Sequence, residues 1–150
     1  MDTKKKFADA TQYIVISMGE EQFGIDIKYI DNIVKMQHIT RVPNVASYIK
    51  GVINLRGEVL PVMSLRLKMG LAEDVTTKAT RIIILRLEQY GMIGIIVDEV
   101  KEVLTLEETN VEKVTNDGKD DREGFVFAVG KYEGSLVSLL DLNAVVLERE

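Results

Sequence analysis

Two stretches of this chain carry the same residue pattern at a constant spacing of 70. GIDIKYIDNI from Gly24 aligns with GIIVDEVKEV from Gly94, so that Ile25 meets Ile95, Ile27 meets Val97, Ile30 meets Val100 and Ile33 meets Val103. Later features recur as well: Gly51 pairs with Gly124, Gly57 with Gly130, and Ser64-Leu65 with Asp141-Leu142. A half of about 70 residues buries too little apolar surface to stand alone, so a duplicated chain of 150 residues is expected to form two small barrels packed together. The groove between such barrels is a natural binding surface.

The local patterns agree with an all-β fold carrying short helices. Residues 13–18 and 23–27 read as a hairpin rich in β-branched side chains. Asp26 then stands where it could cap a short helix with the stripe Ile27, Ile30, Ile33 and Val34. Residues 37–44 hold Pro43 and no period, which predicts a loop, followed by one turn at 45–50. Hairpins follow at 51–55 with 58–63, at 81–87 with 90–97, and at 125–129 with 135–140. Ser64 and Asp141 each sit at the cap position of a short helix, and Gly70 ends the first one. The polar run at 112–123 is expected to be an exposed loop. The subdomains implied by this order are 12–70 and 80–147 within one domain of 1–150, with the terminal helix packing across.

Composition narrows the chemistry. Lys and Arg total 19 against 24 Asp and Glu, a net charge of −5, and aromatics are 6%. Nucleic-acid binding by a small β-barrel, which needs a basic and aromatic face, is therefore the weaker alternative. There is no Cys and one His, so no thiol nucleophile, no disulfide and no thiolate metal site can form. No window reaches the roughly 18 apolar residues of a membrane span. The charged start at 1–10 has no signal-peptide character, which implies a cytoplasmic protein.

His38 lies in the loop with no second ligand, so a structural role is expected. Asp117-Gly118 and Asp120-Asp121 lack the spacing of a calcium loop. Asp98 with Glu99, and Asp26 with Asp31, are carboxylate pairs placed at caps and exposed positions rather than in acid–base geometry. Gly91-Met92-Ile93-Gly94 lacks phosphate-loop spacing. Arg56 stands apart: it sits in Asn54-Leu55-Arg56-Gly57 between two apolar strands, and the repeat as aligned above puts Val129 in its place. Its guanidinium could bridge the halves, receive a partner's carboxylate, or do neither as an ordinary turn residue. Ile30, Ile33, Leu60 and Val62 fit either core or a groove lining.

These blocks resemble the CheW-like domain family. The resemblance rests on GIDIKYIDNIV, Thr40-Arg41-Val42-Pro43 and YIKGVINLRGEVLPVMSL, then on GIIVDEVKEVL and LVSLLDL, and it runs from about Gln12 to Val146. It implies two SH3-like, five-stranded β-barrel subdomains and a non-enzymatic chemotaxis adaptor without cofactor or metal. The partners it implies are the regulatory domain of the histidine kinase CheA, the cytoplasmic tip of methyl-accepting chemoreceptors, and CheW-like neighbours in rings. Nucleic acid and direct membrane insertion are not among them; recruitment to receptor arrays would be peripheral. The resemblance places the receptor-binding groove at Ile30, Ile33, Arg56, Leu60 and Val62, with Asp31 and Asn32 in support. A regulatory domain excised from a CheA-type kinase is the alternative within the family. Two positions depart from the family pattern. Asn32 replaces a common Glu, removing a Glu–Arg56 pair, and on a helix Asp31 would point about 100° away from that position. Ser64 replaces a common Asp but retains capping ability.

Overall fold

Runs of Ile, Val and Leu at alternating positions make extended pairing the favoured local state over most of this chain. A computed structural model describes residues 10–114 and 123–147. The Asp117-Gly118 and Asp120-Asp121 segment and residues 1–9 lie outside the described residues. The strands are β1 (Ala10–Met18), β2 (Glu21–Asp26), β3 (Ile30–Lys35), β4 (Ile49–Leu55), β5 (Glu58–Ser64), β6 (Arg81–Leu87), β7 (Gly91–Val97), β8 (Glu99–Glu107), β9 (Val111–Lys113), β10 (Val126–Tyr132) and β11 (Ser135–Leu140). Helix α1 spans Leu65–Lys68 and α2 spans Leu142–Val146. The expectation of an all-β chain with short helices holds.

The strands form a six-stranded sheet in the order β8-β1-β2-β11-β10-β9 and a five-stranded sheet in the order β3-β6-β7-β5-β4. The two orders match strand for strand: β8 with β3, β1 with β6, β2 with β7, β11 with β5 and β10 with β4. A parallel contact joins β2 to β11 in one sheet and β5 to β7 in the other. The bridge Thr40–Val52 stands where β9 lies against Val129. The duplication is therefore structural.

It is not arranged sequentially, however. The backbone divides into one unit made of residues up to Lys28 together with those from Lys101 onward, and a second unit of Tyr29–Val100. The boundaries expected at 12–70 and 80–147 do not hold, because β3 and β8 each leave the hairpin before them and complete the other sheet. The helix expected over Ile27, Ile30, Ile33 and Val34 is absent for the same reason. Asp26 Oδ1 accepts the Lys28 N–H at 3.0 Å, but only a single 3-10 turn, Ile27–Tyr29, follows. The chain then extends as β3 and pairs antiparallel with β6. Tertiary pairing of β-branched residues overrides a pattern that also fits a helix.

Each unit has its own apolar cluster. Tyr13, Val15, Leu104, Leu106, Ala128, Val137 and Leu139 pack in the first. Ile53, Leu60, Val62, Ile82, Ile84 and Ile96 pack in the second, with Val34, Met36, Ile39, Leu55 and Met92 against them. Ile82 to Leu85 are fully buried in succession, as the imperfect alternation of RIIILRL predicts. Both expected caps form. Ser64 Oγ accepts the Leu67 N–H at 3.1 Å and Asp141 Oδ1 accepts the Ala144 N–H at 3.2 Å. The later alignments within the repeat change: Gly51, at a bulge in β4, corresponds to Ala128 at the matching bulge in β10 rather than to Gly124. Arg56 and Gly57 turn the β4–β5 hairpin with φ of 54° and 83°, and Glu133 and Gly134 turn the β10–β11 hairpin with φ of 47° and 82°. Gly57 thus corresponds to Gly134 rather than Gly130, and Arg56 to Glu133 rather than Val129.

Candidate functional site

Arg56 occupies a tight turn whose geometry is set by its neighbours. Its own left-handed conformation is unusual for a residue with a side chain. Gly57 supplies the second left-handed position, and Asn54 Oδ1 accepts the Gly57 N–H at 3.0 Å. The turn thus fixes the base of an exposed guanidinium that has no hydrogen-bond or ion-pair partner among the described residues.

The surroundings of Arg56 follow from strand phase. β4 ends and β5 and β7 begin at this end of the five-stranded sheet. Alternate residues of a strand share a face, so Arg86 lies in phase with core residues Ile82 and Ile84, Met92 with Ile96, Leu55 with Ile53, and Asn32 with Val34. Leu55 and Met92 are partly buried against the core cluster. The Arg56 turn therefore borders a barrel mouth with an apolar floor and polar edges.

Charge at this mouth is arranged around Arg86. The register of β3 shifts between Ile30 and Asn32, leaving Asp31 as an extra residue. Asp31 Oδ1 accepts a hydrogen bond from the Arg86 guanidinium at 2.7 Å. That bond first, then the charge of Asp31, and more weakly the charge of Glu58, hold the Arg86 pKa above its ordinary value against desolvation. Asn32 Oδ1 instead accepts the Ile33 N–H at 2.8 Å. Asp31 is thus paired with Arg86, and it sits at a strand bulge rather than on a helix.

The residues expected to line a groove separate into two groups. Leu60 and Val62 are core, 1% and 0% exposed, and present no docking surface. Ile30 and Ile33 are partly buried on β3, and Arg56 is exposed. Arg86, Leu55 and Met92 were not singled out from sequence. The signal that could have found Arg86 is its phase, two and four residues after the inward Ile84 and Ile82.

Of the other candidates, Asp98 is held in an ion pair. Arg66 donates from Nε and a terminal nitrogen to the two oxygens of Asp98, each at 2.8 Å. His38 is exposed. Among the described residues no group of three or more His, Cys, Asp or Glu side chains is placed to hold a metal ion. No helix among them is long and apolar enough to cross a membrane.

Comparison with known proteins gives a consistent result. A family profile described as CheW-like domain matches residues 12–150. The chemotaxis protein CheW of Bacillus subtilis is 38% identical over 133 residues, covering 89% of this chain and 85% of that protein. That of Helicobacter pylori is 33% identical over 138 residues, covering 92% and 82%. The crystal structure of the scaffolding protein TtCheW from Thermoanaerobacter tengcongensis superposes with a TM-score of 0.80 at 31% identity, covering 87% of this chain and 88% of that one.

Proposed function

This chain belongs to the CheW-like domain family, and from that premise we propose that it is a chemotaxis adaptor joining the cytoplasmic tips of chemoreceptors to the regulatory domain of the kinase CheA. The observation that carries this reading is the match of nearly the whole chain to proteins named for chemotaxis and, in one solved case, for scaffolding. In this role the chain performs no bond chemistry. It is recruited peripherally to receptor arrays and holds its partners in a fixed geometry, alongside CheW-like neighbours in rings.

The receptor contact falls at the Arg56 end of the five-stranded sheet. A receptor tip is a helical hairpin, and one helix ridge can set apolar side chains against Ile30 and Ile33 on β3. The guanidinium of Arg56, without a hydrogen-bond or ion-pair partner among the described residues, is a rigid fork suited to a carboxylate on that helix. Asp31 and Arg86 at the edge penalise helices of the wrong charge order. Several weak contacts of this kind strengthen one another once receptor and kinase are tethered in one assembly, because each later contact forms at high effective concentration.

Calorimetric titration with the cognate CheA regulatory domain should give saturable binding near one-to-one. No binding by a verified, folded domain overturns the coupling role. Arg56→Ala should leave the fold intact and weaken binding of a receptor-tip fragment by about tenfold or more, the scale of one lost hydrogen bond to a charged group. Unchanged affinity defeats the assignment of Arg56.

A further inference from the structure

The stretch that joins α1 to β6 is held as two separate halves. In the first half the Leu71 N–H donates to the Arg66 carbonyl at 2.8 Å and the Arg66 guanidinium donates to the Ala72 carbonyl at 3.3 Å. Glu73 pairs with Lys50, and Asp74 accepts the Ser64 hydroxyl. In the second half the Thr77 N–H donates to Thr80 Oγ1 at 2.8 Å, the Thr80 N–H returns to the Thr77 carbonyl at 3.3 Å, and Arg81 donates to the Lys78 carbonyl at 2.8 Å. Each of the first anchors joins residues that precede Val75, and each of the second joins residues that follow Thr76. Val75 and Thr76 themselves carry no hydrogen bond or ion pair among the described residues. They form a short joint between two fixed ends.

Each apolar cluster draws on both sides of this joint. Tyr13 and Val15 pack with Leu104 and Leu139 in one, and Ile53 and Leu60 pack with Ile82 and Ile96 in the other. A second copy can supply the later residues to both clusters with the same contacts and the same anchors, so that only the backbone angles of Val75 and Thr76 change. From Asp74 to Thr77 the chain reaches at most about 11 Å, so two copies exchanged in this way abut at the joint. Their joints then pass each other across a two-fold axis, and Val75 stands beside it. Val75 is 78% exposed, the most exposed large apolar side chain among the described residues, and its counterpart in the second copy would cover it. We propose that the chain forms a dimer in which two copies exchange everything after Thr76 through the Val75–Thr76 joint. In that dimer Asp31 of one copy bonds Arg86 of the other, so each barrel mouth is built from two chains. The inference does not rest on the reading given to Arg56.

The test unfolds the whole chain in urea, refolds it at a low and a high concentration, and sizes the products by chromatography with light scattering. Closure within one chain through a short joint has an effective concentration on the millimolar scale, so about half of the chain should be dimeric after refolding at about 1 mM and under about a tenth at about 0.05 mM. The dimer should persist on later dilution, because separation requires the exchanged ladders to open. Inserting Gly-Gly-Ser between Val75 and Thr76 should lower the dimer fraction, and deleting both residues should raise it. Cross-linking separates exchange from face-to-face pairing. The chain has no Cys, and Lys35 on β3 pairs with Arg81 on β6. With Lys35→Cys in one chain and Arg81→Cys in another, refolded together, oxidation should join the two variants in the dimer, and neither variant refolded alone should be joined. No dimer from the unaltered chain at the higher concentration, a dimer that oxidation does not join, equal joining of either variant alone, or a dimer fraction unmoved by joint length overturns the proposal.

Discussion

Gly51 is where the backbone geometry makes its sharpest demand. Its φ is 143°, and a Cβ placed there would lie 2.1 Å from the Thr40 carbonyl oxygen and 2.7 Å from the Thr40 carbonyl carbon. The obstacle is backbone, so no side-chain rotation relieves it. Gly51→Ala must push Thr40 away and break its two hydrogen bonds to Val52, each contributing a net ~0.5–1.5 kcal/mol. Backbone strain at such a φ adds about 1–3 kcal/mol, and reduced freedom of the unfolded chain returns about 0.4–1 kcal/mol. The expected loss is about 3 kcal/mol. With a urea dependence of about 2 kcal/mol per molar, the unfolding midpoint should fall by about 1.5 M. Gly57→Ala is the matched control: φ is 83° and nothing lies within 4 Å of the added methyl, so only the strain remains. Urea titration followed by circular dichroism measures both variants, and hydrogen exchange at Thr40 and Val52 reports the broken bridge. A Gly51→Ala midpoint shift no larger than that of Gly57→Ala would refute the reasoning.

Two further outcomes are expected. Asp98→Asn should cost about 1 kcal/mol, because the Arg66–Asp98 pair is doubly hydrogen-bonded yet its side chains keep 20% and 27% exposure; a double-mutant cycle with Arg66→Met showing strict additivity would contradict this. The hydrogen bond from Lys50, and then its charge, hold the Glu73 pKa below the usual glutamate value. The stabilisation from that pair is present above the unfolded glutamate pKa and disappears as pH falls through the lower folded value. Carboxylate titration by NMR should show Glu73 returning upward in Lys50→Met.

The elements that sequence made legible are those whose cause is local. The caps at Ser64 and Asp141 and the glycine-bearing turn after Leu55 depend on a few adjacent residues, and each forms where its pattern stands. The repeat was legible because it is a comparison of the chain with itself. The course of β3 was not, for two physical reasons. Ile30, Ile33 and Val34 satisfy helical spacing, while the bulge at Asp31 breaks the alternation that would have marked a strand. Nothing local specifies that β3 joins β6 rather than its own hairpin. The same gap explains Leu60 and Val62: alternation separates them from Val59 and Pro61, but only the pairing of β5 with β7 decides which face becomes core. Arg56 was found as an anomaly among apolar neighbours, and Arg86 was missed because an Arg at the end of a buried strand reads as a boundary.

The exchange of β3 and β8 also governs what a break in the chain can do. Residues 71–79, which join α1 to β6, contain no helix or strand and so form an evident point for a nick. A cut there yields one fragment with β1 to β5 and another with β6 to β11. Neither fragment owns a sheet: the first brings β1 and β2 to the six-stranded sheet and β3, β4 and β5 to the five-stranded one, and the second supplies the remainder of both. The two pieces stay laced by the ladders β1–β8, β2–β11, β3–β6 and β5–β7, so peptide continuity and structural integrity part company at this linker. A duplication that began as two consecutive copies has become one object that cannot be divided at the seam where its sequence repeats.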